Sequence, residues 1–346
     1  MAFVATEELT LPTLDVSKWL KGGESERQKF ASEIFNVLKR HGFTKIINHG
    51  MSDDTLKEIY HWVSIPPNAM RHFSNQEQLK AKIANAPSST KPQRGWSRRG
   101  LERIAKLNWG RTEKGDAPAL DLQDAKEHVD LGSPEDKEYH NQWPREEDLP
   151  GYRVSMEKQY DALHKLSEEL LSALELALGL SRGSLTSVIH TQASEQRITH
   201  YPAIKVVDMQ RGDTSRIWPH SDLGVLTCLV QDEVGGLEVE DREHKGSFFP
   251  VRRERWDEMV INVGETLERL TNGALPAGIH QVTVPRELQD QPDATVPPRY
   301  SCAFFVKIDR TADVGVLPRF LENGEKRRYK SMTALEFHLH RLTTAY

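Results

Sequence analysis

The chain of 346 residues carries 37% hydrophobic and 28% charged side chains with a formal net charge of −5, which suits a globular protein with ample material for a core. An acidic balance argues against a protein whose main partner is nucleic acid, and no apolar run approaches the roughly 18 residues of a membrane span. Two cysteines without a spacing motif, Cys228 and Cys302, and a start lacking a basic, apolar leader predict a soluble cytoplasmic protein with neither disulfide framework nor zinc ribbon. In chain order, a short strand is predicted near Leu14, a helix over Glu24 to Arg40, a strand over Phe43 to Asn48 and further helix from Asp53. KPQRGWSRRG is punctuated by Pro and Gly and reads as a loop, and the acidic, apolar-poor stretch from Gly115 to Leu149 reads as surface loops and short helices. From Arg153 to Leu180, apolar residues such as Met156, Tyr160, Leu163, Leu166, Leu170 and Leu174 recur at i, i+3/i+4, the pattern of a long amphipathic helix that needs a sheet to lie against. Short β-rich runs follow (RITHYP, GVLTCLVQ, GGLEVE, SFFPV, EMVINVG, GIHQVTVP, RYSCAFFVKI), separated by Gly, Pro and charged turns as in a sandwich or barrel, and Ser331 to Leu342 closes the chain as a helix. The expected class is α+β with a mainly β core, an α-rich first half supporting a β-rich second half.

Within WPHSDLGVLT, which reads as a buried strand, alternation sends His220 and Asp222 to one face and Ser221 to the other. Burying two ionisable groups together is costly without a partner, and a metal ion fits this geometry. His280, in the strand-like GIHQVTVP, supplies a second imidazole. Two imidazoles and a carboxylate on one octahedral face leave three open positions, the arrangement of non-heme Fe(II) oxygenases. In RYSCAFFV, Arg299 and Ser301 again share a strand face, and a guanidinium fork beside a hydroxyl suits a carboxylate. Decoys exist: His128-Val129-Asp130 with His190, and Arg-x-Ser at Arg153/Ser155 and Arg182/Ser184. The decoy histidines read as residues with no strand to fix them, so the order His-x-Asp, His, Arg-x-Ser on successive strands selects His220, Asp222, His280, Arg299 and Ser301.

HSDLGVLTCLVQDEVGGLEVED, VINVGETLERLTNG, HQVTVP and PPRYSCAFF, with LPTLDVS and HGFTKIINHG near the start, resemble the 2-oxoglutarate- and Fe(II)-dependent dioxygenases of the isopenicillin N synthase-like group over most of the chain, in the style of its fungal biosynthetic members. The resemblance implies a double-stranded β-helix, or jelly roll. It divides the chain into an N-terminal dioxygenase-type α/β region over 1–115 and, over 116–346, a supporting helix, the jelly roll and a C-terminal helix. It implies Fe(II) held by His220, Asp222 and His280, with 2-oxoglutarate held at its far carboxylate by Arg299 and Ser301 and contacted by Tyr201 in THYP. It also implies oxidation of a small organic substrate by dioxygen in specialised metabolite biosynthesis: hydroxylation, desaturation or rearrangement. Where many plant members carry Arg after the distal histidine, this chain has Gln281. Asn48-His49-Gly50 reads as a structural turn, and of Phe304 and Phe305 the second is expected to face the cavity.

Two other readings stay open at this level: an oxidase of the same fold using no 2-oxoglutarate, and a jelly-roll binding protein with a vestigial or structural metal. No further His or Cys falls in the HSDLG or GIHQV runs to close the site, which favours an open, catalytic centre. RGWSRRGLERIAKLNWGR, Arg94 to Arg111, holds six basic residues and one acid, Glu102. It reads either as a basic lip attracting an anionic substrate or as a surface network neutralised by the acidic stretch that follows.

Overall fold

The computed structural model describes residues 9–64, 77–84, 94–102, 122–189 and 193–342. Its strands in chain order are β1 Thr13–Asp15, β2 Phe43–Ile47, β3 Gly95–Ser97, β4 Gln123–Asp124, β5 Glu127–Gly132, β6 Glu195–Tyr201, β7 Ile204–Lys205, β8 Thr214–Ser215, β9 Ile217–His220, β10 Leu226–Gln231, β11 Leu237–Glu240, β12 Phe248–Pro250, β13 Met259–Val263, β14 His280–Val282, β15 Thr295–Val296 and β16 Arg299–Val306. Eight form one sheet, ordered β1-β2-β13-β10-β16-β6-β5-β3, and four form a second, β12-β11-β14-β9. Every pairing in these sheets is antiparallel except β1 with β2. The architecture is the expected double-stranded β-helix, and its larger sheet takes strands from both sides of residue 115.

Alternation along β16 shows why a cavity and a core share one sheet. Cys302, Phe304 and Val306 enter the main core, whereas Arg299, Ser301, Ala303 and Phe305 line the cavity between the sheets. The helix Tyr152–Ala177 covers the core side, burying Met156, Tyr160, Leu163, Leu166, Leu170 and Leu174. Tyr160 meets Phe304 edge to face at 5.1 Å. The helix Glu24–His41 begins after Gly23, whose N–H donates to the Glu26 carboxylate at 3.1 Å, and stops at Gly42. There a φ of 74° lets the cap N–H reach Leu38 O and turns the chain into β2.

Three expectations are corrected. KPQRGWSRRG is not wholly a loop, because Gly95–Ser97 pairs with β5 in the large sheet. The stretch from Gly115 to Leu149 is not all surface, because β5 is a nearly buried strand whose acids meet cations from elsewhere in the chain: Asp130 takes Arg197, and Glu127 takes Lys80. His128 and Asp130 therefore do have a strand to fix them, whereas His190 lies outside the described residues. WPHSDLGVLT, finally, is two elements: β9 ends at His220, the chain bends, and β10 starts at Leu226. Among the described residues no helix is long and apolar enough to cross a membrane.

Candidate active site

His220 at the end of β9 is the register partner of His280 on β14, so the small sheet sets the two imidazoles side by side with ring centroids 4.2 Å apart. Asp222 arrives from the bend that follows β9. Its Oδ1 lies 3.9 Å from His220 Nε2 and 4.0 Å from His280 Nε2. The three donor atoms lie within 4.8 Å of one another, the one such His/Cys/Asp/Glu grouping among the described residues. The remaining polar atoms are largely directed away. Asp222 Oδ2 accepts from Thr227 Oγ1 at 2.6 Å and Asn262 Nδ2 at 2.7 Å, and His220 Nδ1 donates to the Trp218 carbonyl at 2.9 Å. These bonds leave Oδ1 and the His220 Nε2 lone pair facing the centre. Phe43 packs edge-on against the His280 ring at 5.4 Å, and His280 Nδ1 is buried without a protein partner among the described residues.

The electrostatics suit a cation. Burial first, and the neighbouring His280 second, push His220 down to about 3, so its imidazole is neutral at ordinary pH. Burial would raise Asp222, but His280, His220 and the hydrogen bonds from Thr227 and Asn262 hold it below the usual carboxylate range. Two imidazole nitrogens and one carboxylate oxygen form a set suited to Fe(II).

A second polar group lines the same cavity. Arg299 is fully buried. Its Nη2 donates to Gln231 Oε1 at 2.8 Å, and Nε and Nη1 have no protein partner among the described residues. Its guanidinium lies over the Tyr201 ring at 4.8 Å, and β16 pairs with β6 so that Arg299 faces Tyr201 and Ser301 faces Thr199. A second buried guanidinium, Arg216, lies over the same ring at 5.9 Å, and its Nε and Nη1 have no protein partner among the described residues. Burial, and then the charge of Arg299, push it down to about 10. Buried N–H donors of one sign without an acceptor make a receptor for an anion.

The structure brings His220, Asp222 and His280 together and lines the same cavity with Arg299, Ser301 and Tyr201. Sequence reasoning missed Thr227, Asn262, Gln231 and Arg216. The one available signal was a lone amide in each of two strongly apolar strands, Asn262 in MVINV and Gln231 in LTCLVQ. Of the Arg-x-Ser decoys, Arg153 binds Glu157, Ser155 binds Glu58, and Ser184 donates to the Ser181 carbonyl. Gln281 donates to Glu238 Oε2 at 2.8 Å. His49 is held by Asp257 O and the Met51 N–H, a scaffold role.

Residues 193–308 match the 2OG-Fe(II) oxygenase superfamily, and residues 11–146 match the non-haem dioxygenase in morphine synthesis N-terminal family. Over 330 residues, 95% of this chain and 97% of the relative, the sequence is 42% identical to the 2-oxoglutarate-dependent dioxygenase ecdK of Aspergillus rugulosus. The chain belongs to the 2-oxoglutarate- and Fe(II)-dependent dioxygenases. A similar dioxygenase, phqC of Penicillium fellutanum, is 42% identical over 339 residues, covering 96% of this chain and 94% of that one. The fold of this dioxygenase superposes on that of a full-length Neurospora crassa protein solved in complex with alpha-KG, with a TM-score of 0.82 over 98% of each chain at 24% identity. The enzyme thus uses Fe(II) and 2-oxoglutarate to oxidise a small molecule.

Proposed function

We propose that His220, Asp222 and His280 hold the Fe(II), and that Arg299, with Ser301 and Tyr201, receives the far carboxylate of 2-oxoglutarate. The observation that carries this assignment is the convergence of three donor atoms within 4.8 Å while Thr227, Asn262 and the Trp218 carbonyl occupy the outward atoms of Asp222 and His220. When bound, iron supplies the coupling of 2-oxoglutarate decarboxylation to oxidation of the substrate by dioxygen. The protein's own part is placement. Asn262 and Thr227 orient the carboxylate, Gln231 aims the Arg299 fork, and the apolar walls of Phe43, Leu237 and Val282 keep water from the cosubstrate end. Phe305, Ala303 and Leu223 lie on the cavity wall available to the substrate.

Anaerobic titration of the iron-loaded protein with 2-oxoglutarate tests metal and cosubstrate together through the metal-to-ligand charge-transfer band. The band should form in the wild-type enzyme and vanish in His220→Ala, Asp222→Ala and His280→Ala variants that retain the native circular dichroism. A full band in any one of them removes that residue from the centre. Stoichiometric succinate per turnover separates the dioxygenase from an oxidase in which Arg299 clasps the substrate.

A further inference from the structure

The cavity has a second charged zone, apart from Arg299 and Ser301. Along β16 the cavity-facing residues run Arg299, Ser301, Ala303, Phe305, and the facing residues of β6 run Tyr201, Thr199, Arg197, Glu195. Arg197 is therefore four residues along the ladder from Tyr201, about 13 Å at strand spacing, too far to share a carboxylate with Arg299. Five charged side chains line this end: Glu102, Lys126, Arg197, Glu195 and Lys307. Arg197 Nη1 lies 3.0 Å from Glu102 Oε2, and Lys126 binds the same oxygen. Lys307 binds Glu195, which Arg94 also holds at 2.7 Å. Asp130, behind the wall, takes Arg197 through two bonds of 2.7 and 2.9 Å.

Three cations and two carboxylates on one cavity wall exert little net field, so neither a lone anion nor a lone cation is favoured by charge alone. Each buried ion carries a large desolvation cost, and apolar residues would close a cavity at lower cost. A ligand with a single charge would leave the displaced member of each wall pair without a partner. A ligand carrying both signs replaces the two halves of a pair together. We propose that the primary substrate of this dioxygenase is a small zwitterion of amino-acid type, its carboxylate toward Arg197, Lys126 or Lys307 and its ammonium toward Glu102 or Glu195. This rests on the assignment of the iron and 2-oxoglutarate sites above.

The test uses the iron-loaded full-length enzyme with 2-oxoglutarate and measures succinate formation with each of the twenty protein L-amino acids added singly. Compounds that stimulate are then compared with their methyl esters, which keep only the ammonium, and their N-acetyl derivatives, which keep only the carboxylate. The expected result is stimulation by at least one free amino acid, falling about thirtyfold or more in both blocked forms, as follows from removing one partner of a buried charge contact. Equal stimulation by a blocked form overturns the proposal, as does no stimulation by any free amino acid in a preparation that shows the charge-transfer band. Failure of the band itself overturns the underlying site assignment instead. Glu102→Gln should raise the amino-acid KM while leaving the 2-oxoglutarate titration in place. The comparison of blocked forms on the wild-type enzyme needs no variant to fold.

Discussion

Glu265 Oε1 accepts a hydrogen bond from Ser221 Oγ at 2.7 Å and another from Arg341 Nη2 at 3.0 Å. One buried carboxylate oxygen thereby ties the C-terminal helix Ala334–Leu342 to the residue between His220 and Asp222. The same helix presents His338 to the cavity, where burial and then Lys307 push it down to about 3, keeping it neutral.

Arg341→Met should leave Glu265 buried without this cation and cost about 3 kcal/mol of stability in denaturant unfolding. If the tether also positions the Asp222 bend, Fe(II) affinity measured by equilibrium dialysis of the folded protein falls with it. A stability loss at unchanged iron affinity would show that the tether holds only the helix.

Arg299→Lys keeps a charge but loses the planar fork, and Gln231 loses its guanidinium partner. The loss expected is about 1–3 kcal/mol, or roughly 5- to 150-fold in the 2-oxoglutarate requirement, with the primary substrate's constant unmoved. Anaerobic titration of the charge-transfer band reads this directly, and an unchanged midpoint would remove Arg299 from the cosubstrate site.

Glu127 binds Lys80 at 2.7 Å, Trp96 Nε1 at 2.9 Å and His200 Nδ1 at 2.9 Å. Burial opposes its ionisation, yet the bonds from His200, Lys80 and Trp96 bring its carboxyl down to about 2. A carboxylate with a depressed folded pKa contributes stability that is full above its unfolded value of about 4.5 and is lost as pH falls toward about 2. Glu127→Gln should therefore cost about 2–3 kcal/mol at pH 7 and flatten the acid limb of the stability curve across that window. An acid limb identical to the wild type's would show that other carboxylates carry it.

Of the basic stretch from Arg94, Arg98 and Arg99 are exposed, whereas Arg94 is buried on Glu195 and Asp136; among its described members it is the lone acid, Glu102, that lines the cavity. Arg98→Ala with Arg99→Ala should leave the KM of both substrates unchanged and move stability by less than about 0.5 kcal/mol. A rise in the primary substrate's KM that salt abolishes would restore the basic lip.

Local period and order made much of this enzyme legible in its sequence: the 3.6-residue recurrence of the helix Tyr152–Ala177, the alternation of β16, and the succession of His220, Asp222, His280, Arg299 and Ser301. Each of these signals is carried by neighbours in the chain, through the fixed directions that helix and strand give successive side chains. What the tertiary structure alone decided was where charge could be buried. Asp130 reads as a surface acid until Arg197, 67 positions away, neutralises it, and Arg94 reads as a surface base until Glu195, 101 positions away, draws it inward. The cost of burying an ion depends on whether a counter-ion stands within a few ångströms, and only the folded chain brings such distant partners together.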